Sequence, residues 1–154
     1  MTNSAAPILI YGATGGVGEA SARALVQAGA QVHLVARRSD ALETLASELG
    51  ATFTCIDFDA PDAFKQASQE ASADGVIAGL VFAVGTINIK PVSRLTRVDF
   101  ERDFLVNAIW AAEAVQAALP FMIKYSPGAR PCLHWDGKGG GRSIDAFARR
   151  RTRA

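Results

Sequence analysis

Residues 8–18 read Ile-Leu-Ile-Tyr-Gly-Ala-Thr-Gly-Gly-Val-Gly, and no other stretch of this chain restricts its fold as strongly. The four apolar residues Ile8–Tyr11 suit a strand buried on both faces. They run directly into glycines at 12, 16 and 18, after which helical spacing begins. A strand covered on both sides needs helices above and below its sheet, which points to an α/β layer arrangement.

The chain continues this alternation. Gly16 to Ala28 has helical spacing, with Val17, Ala20, Ala24 and Ala28 on one stripe and Gly29 as terminator. Gln31–Ala36 reads as a second strand. Ser39 is expected to cap a helix that carries Glu43 early, runs to Leu49 and stops at Gly50. Thr52–Ile56 is a third strand, and Pro61 opens a helix to about Ser72. Gly79–Val84 is a fourth strand. Asp99 to about Met122 is a long helix whose buried face is expected to hold Phe100, Phe104, Ala111, Val115, Ala118 and Met122. Strands and helices in strict alternation predict a doubly wound parallel sheet with right-handed crossovers.

The pattern fails after Pro127-Gly128. Residues 129–154 show a period of neither 2 nor 3.6, and only Pro131–His134 is available for the strand that should follow the long helix. Charge changes there too. Residues 1–129 hold 9 Lys or Arg against 13 Asp or Glu, whereas residues 130–154 hold 7 against 2. The chain therefore divides into an α/β unit, 1–128, and an irregular basic tail, 129–154. Three origins of the tail stay open. It is an out-of-frame continuation after about codon 129, the natural tail of a binding protein such as a redox sensor, or a polyanion-binding segment. The last reading rests on Arg149, Arg150, Arg151 and Arg153; no aromatic residues interleave with them, so nucleic acid is not the expected partner.

Cys55 and Cys132 have neither a CxxC nor a metal-ligand spacing, which suggests free thiols in a reducing compartment. The first residues lack the basic-then-apolar pattern of a secretory leader. The longest apolar run, Val76 to Val84, is too short to cross a membrane. A cytoplasmic protein without membrane partners is expected.

In a strand-to-helix glycine turn each glycine has a task. Gly12 allows a tight exit from the strand, Gly16 a close approach of backbone amides to a pyrophosphate, and Gly18 close packing of the helix. Those amides and the positive helix end face phosphate oxygens. A plain tight turn would use the same glycines. Arg37-Arg38 then follows the second strand, where an NAD site carries a carboxylate for the ribose 2′-hydroxyl. Two guanidinium forks suit a 2′-phosphate instead, so NADP is expected over NAD. A solvated basic turn is the alternative.

These residues resemble the short-chain dehydrogenase/reductase family. Its Thr-Gly-x-x-x-Gly-x-Gly turn is similar to Tyr11–Gly18, with Tyr11 in place of Thr. The resemblance, which covers residues 7 to about 128, implies a Rossmann-type fold. It also implies a cofactor contacted by Gly12, Thr14, Gly15, Gly16, Val17, Gly18, Arg37 and Arg38, with Asp57 at the adenine. Phe82-Ala83-Val84-Gly85 stands for the family's Asn-Asn-Ala-Gly, of which Gly85 survives. Asn107 falls where the family keeps a catalytic Asn, and here it lies on the expected apolar stripe between Phe104 and Ala111. The implied chemistry is hydride transfer between NADPH and a small carbonyl or alcohol, in a family that is usually homo-oligomeric. Its general acid/base is a Tyr followed four residues later by Lys, with a Ser before them. This chain has only Tyr11 and Tyr125, followed at that distance by Gly15 and Ala129, so binding without turnover is expected. An unfinished sheet and a bare apolar helix face would favour self-association.

Overall fold

The computed structural model describes residues 6–72 and 75–125. The expectations for the 129–154 tail lie outside the described residues. Four strands, β1 (Ile8–Tyr11), β2 (Val32–Ala36), β3 (Thr52–Cys55) and β4 (Gly79–Phe82), form one parallel sheet in the order β3-β2-β1-β4. The helices are α1 (Gly16–Gln27), α2 (Ser39–Leu49), α3 (Ala63–Ala71), α4 (Arg97–Phe104) and α5 (Trp110–Tyr125).

The sheet is covered on both faces, as its apolar strands require. Ile8, Ile10, Val32 and Leu34 pack with Ala22 of α1 and with Leu42, Leu45 and Ala46 of α2. On the other face Leu9, Tyr11 and Val35 meet α3 and the buried stripe Val106, Trp110, Ala114 and Ala118. This alternation across β1 is the doubly wound arrangement.

Two helices turn out rotated from the expected phase. In α1 the buried residues are Gly18 and Ala22, and Val17 is 73% exposed. The rotation is set at Gly18, whose α-carbon rests on the backbone of Gly12; apolar spacing alone did not register that close contact. In the long helix Phe100 and Phe104 are exposed, at 57% and 64%, and Ala118 is the one fully buried member of the expected stripe. A π turn, Leu105–Ile109, separates α4 from α5 and advances the buried face to Val106 and Trp110. By length and composition Arg97–Lys124 would suffice to cross a membrane. In this fold its inner stripe packs against α3 and the sheet.

Helix starts also shift. Ser39 is the first residue of α2 rather than its cap; Arg38 takes the cap position, and the Ser39 hydroxyl donates to Asp40 Oδ1 at 3.1 Å. Pro61 lies in the turn before α3, which begins at Ala63 after Asp62 at φ 59°. The long helix begins at Arg97 with a capping box: Thr96 Oγ1 accepts from the Asp99 amide, and Asp99 Oδ2 accepts from the Thr96 amide.

Two buried polar groups are fully engaged. His33 has Nδ1 2.8 Å from Thr52 Oγ1 and Nε2 2.9 Å from Thr54 Oγ1, and the Thr54 hydroxyl donates to Glu70. Burial pushes His33 down to about 4, against a smaller upward pull from Glu70. Tyr11 is completely buried, its hydroxyl donating to Phe64 O at 3.3 Å and lying 3.4 Å from Ser68 Oγ.

Candidate functional site

β1 leaves the sheet centre through a turn that only glycine fits. Gly12 has φ 78°, and a Cβ there would stand 2.6 Å from Ala83 O. The Gly12 and Ala13 amides both donate to Val35 O, at 2.8 and 3.2 Å, and the Gly15 amide donates to Gly12 O at 3.0 Å. The turn is thus fixed to β2 and packed against the end of β4. α1 starts at Gly16, with Gly15 as an extended cap that has no side chain to bond the helix amides. The first amides of such a helix have no partner within it and face outward. A Cβ on Gly18 would run into the Gly12 backbone, whereas one on Gly16 would meet nothing within 4 Å. The protein's own packing therefore requires Gly12 and Gly18 bare. At Gly16 the open side lies beside the helix start.

A cleft of about 530 Å³ opens at the carboxyl ends of the strands, where β1 separates β2 from β4. Gly12, Thr14, Gly15, Arg37, Arg38 and Gly85 line it together with Phe58 and Ala83. This is the crevice at which open α/β sheets bind ligands. The glycine turn supplies amides on one side, and Arg37 and Arg38 supply guanidinium groups on another. Donors from the glycine turn and from two guanidinium side chains thus border one cleft.

Other expected residues flank the cleft. Gly16, Val17 and Gly18 form the first turn of α1. Asp57 is exposed, and its Oδ1 accepts from the Asp59 amide at 3.1 Å. That side chain shapes the turn after β3, while the next residue, Phe58, reaches the cleft. Phe58 was not anticipated, although Thr54, Ile56 and Phe58 are alternately buried. The period of two simply continues beyond the strand.

Asn107 is exposed rather than part of the buried stripe, because it lies within the π turn that rotates the helix face. Its Oδ1 accepts from the Thr86 amide at 2.9 Å, and its Nδ2 donates to Thr86 O at 2.9 Å. A Cβ on Gly85 would lie 3.3 Å from the same Oδ1. The amide therefore clamps the segment that follows Gly85. Asn88 Nδ2 adds a bond to Asp99 O at 3.4 Å, and Lys90 adds an ion pair to Asp99 at 2.6 Å. Lys90, followed by the Thr96 bonds, brings the Asp99 carboxyl down to about 2.

Tyr11 provides no proton donor to this cleft. Its ring packs edge-on to Phe64 at 5.4 Å, and desolvation pushes its phenol up to about 12. A second cleft, of about 560 Å³, lies between residues 58–65 and α5, behind Phe58 and Trp110. It contains none of the glycine-turn residues.

A parallel sheet crossed by α-helices, with a glycine cradle at its switch point, defines the class of dinucleotide-binding α/β folds. The family model for short chain dehydrogenase matches residues 6–129, and the chain belongs to that family. It is 30% identical over 123 residues to the oxidoreductase YbbO of Escherichia coli strain K12, a match covering 79% of this chain and 45% of that protein. It is 33% identical over 126 residues to a serine 3-dehydrogenase of Agrobacterium fabrum, covering 76% and 49%. Among solved structures, the Thermus thermophilus protein TT0495 aligns with a TM-score of 0.69 at 29% identity, covering 78% of this chain and 51% of that one. The chain spans about half the length of the curated relatives it matches.

Proposed function

We propose that residues 1–128 form an NADP-binding unit and that the chemistry it serves is hydride transfer between NADPH and a small carbonyl or alcohol. The observation that carries this reading is the single cleft shared by Gly12, Thr14, Gly15, Arg37, Arg38 and Gly85. In it the amides of the Gly12–Gly18 turn bind the pyrophosphate. Arg37 and Arg38 hold the 2′-phosphate through their planar donor forks. Phe58 walls the adenine end, with Asp57 in the turn beside it. Asn107 fixes the Gly85–Thr86 backbone next to the nicotinamide end. The cofactor, when bound, supplies the hydride. The relatives, an oxidoreductase and a serine 3-dehydrogenase, support a small-molecule substrate. Cysteines without pairing or metal spacing fit a cytoplasmic setting.

The 154 residues contain no Tyr-x-x-x-Lys, and Tyr11 is sealed in the core. We therefore expect this chain to bind cofactor without turning over substrate. Calorimetric titration with NADPH and NADH tests the binding half. Tighter NADPH binding, weakened by Arg37→Ala, is expected. Tighter NADH binding, or an unchanged NADPH affinity in Arg37→Ala, would overturn the assignment. NADPH-dependent carbonyl reduction by the purified chain would overturn the expectation of no turnover.

A further inference from the structure

The amino ends of the strands carry a polar network that the dinucleotide cleft does not use. A cleft of about 540 Å³ opens there, at the starts of β1, β2 and β3, and both Thr52 and Glu70 line it. These two exposed residues are joined from behind. His33 Nδ1 lies 2.8 Å from Thr52 Oγ1, His33 Nε2 lies 2.9 Å from Thr54 Oγ1, and the Thr54 hydroxyl donates to Glu70 Oε2. His33 is 2% exposed and Thr54 4%, so the linking pair is buried and only its two ends reach the cleft.

The direction of each proton in this network follows from its donors and acceptors. The Thr54 bond first, and then Gln66 Nε2 donating to Oε1 at 3.0 Å, hold the Glu70 carboxyl below the usual range, so it is ionised at neutral pH. An ionised carboxylate only accepts, so the single Thr54 proton points at Glu70. The Thr54 oxygen therefore accepts from His33 Nε2–H. Nδ1 of the neutral ring then has no proton and accepts from the Thr52 hydroxyl. With that proton turned inward, Thr52 has only lone pairs left for the cleft, and so has Glu70.

The backbone adds charge of the same sign. Val26, Leu49 and Ala71, at or beside the last residues of α1, α2 and α3, line this cleft, so three helix carboxyl ends converge on it. None of the three helices has a basic residue in its last turn. A helix carboxyl end carries partial negative charge and favours a cation. Glu70 is the one charged side chain lining the cleft, and no cation pairs with it among the described residues. Gln31, also at the cleft, offers its carbonyl as readily as its amide. Most of the remaining wall is aliphatic.

We propose that this cleft binds a small alkylammonium ion, with the ammonium group on the Glu70 carboxylate and the Thr52 oxygen and the alkyl part along the aliphatic walls. The buried His33–Thr54 pair holds both acceptors in place from behind. The site lies at the opposite edge of the sheet from the glycine turn, so the inference stands apart from the dinucleotide reading and does not need it.

The test is an NMR titration of the full 154-residue chain with butylammonium, butanol and butyrate in turn, at constant ionic strength, following the Gly29, Gly50 and Thr52 amides. Butylammonium is expected to give saturable shifts in the millimolar range. Butanol, which has the same alkyl chain and no charge, is expected to bind at least about tenfold more weakly, and butyrate not to saturate. Glu70→Gln still offers the Thr54 hydroxyl an acceptor; it is expected to weaken butylammonium about tenfold and to leave butanol unchanged. Thr52→Val is expected to weaken butylammonium about threefold. If Glu70→Gln does not fold, the ratio of butylammonium to butanol affinity in wild type and in Thr52→Val decides the question. Equal affinity for butylammonium and butanol would reduce the cleft to an apolar groove and overturn the inference. Shifts that stay linear in butylammonium concentration would overturn it too, as would an unchanged butylammonium affinity in a folded Glu70→Gln chain.

Discussion

The two flanks of β1 are built differently. Toward β2, every residue of both strands is buried, and the glycine turn is held by backbone against backbone. Toward β4, the strand is half-buried throughout and pairs with no other strand among the described residues. The segment that follows β4 is held by side chains: Asn107 on Thr86, Asn88 and Lys90 on Asp99. The glycine turn is therefore held by packing that admits no Cβ at Gly12 or Gly18. The segment after β4 depends on separate polar contacts, each removable alone.

That contrast breaks most visibly at the glycines. Gly12→Ala and Gly18→Ala each force a Cβ onto backbone that cannot yield, and each is expected to cost about 3 kcal/mol in urea unfolding. Gly16→Ala meets open space in a helix and should leave stability unchanged, or raise it by up to about 1 kcal/mol, while weakening NADPH binding. Comparable destabilisation in all three variants would show that the turn is uniformly packed and has no room for a ligand.

The next effect concerns acid stability of the packed flank. His33, ordinarily near 6.5, is held down to about 4 in the fold. Between those values the unfolded chain takes up a proton that the folded chain refuses, so stability falls as pH drops through this window and is fully present above it. The loss due to His33 is about 2–3 kcal/mol between pH 7 and pH 4. A His33→Gln variant should show a correspondingly flatter dependence in unfolding curves taken across that range. An identical slope in both proteins would remove His33 as its source.

Asn107→Ala probes the other flank. Loss of two exposed hydrogen bonds is expected to cost about 1–2 kcal/mol and to accelerate exchange of the Thr86 amide, with the Gly12–Gly18 amides unchanged. Faster exchange at both places would mean that the flanks are not separable. The smallest change in stability is expected from Phe100→Glu combined with Phe104→Lys. Both side chains are already exposed, so unfolding should shift by less than about 0.5 kcal/mol while self-association in sedimentation decreases. A large loss of stability would place these aromatics in a core after all.

The layer arrangement was readable from residue order because strands buried on both faces leave an unmistakable apolar run, as in Ile8–Tyr11. Gly12, Arg37 and Gly85, read from the sequence as turn and strand-end residues, line one cleft in the fold. Helix rotation was not readable. In α1 it is set by the Gly18–Gly12 contact, and in the long helix by a π turn that a constant 3.6-residue period does not anticipate. Asn107 was expected on the buried stripe, and for that reason it lies exposed instead. Two signals were present and unused: Thr96-x-x-Asp99 as a capping box, and the two-residue period that carries Phe58 inward.

The most direct test of the central claim is a residue-resolved NMR titration of the chain with NADPH. The largest amide shifts are expected at Gly12 to Gly18, Arg37, Arg38 and Gly85, with smaller ones around Phe58. Shifts confined to the Asp62–Lys65 and Glu113–Ala117 cleft, or no shifts at all, would contradict it.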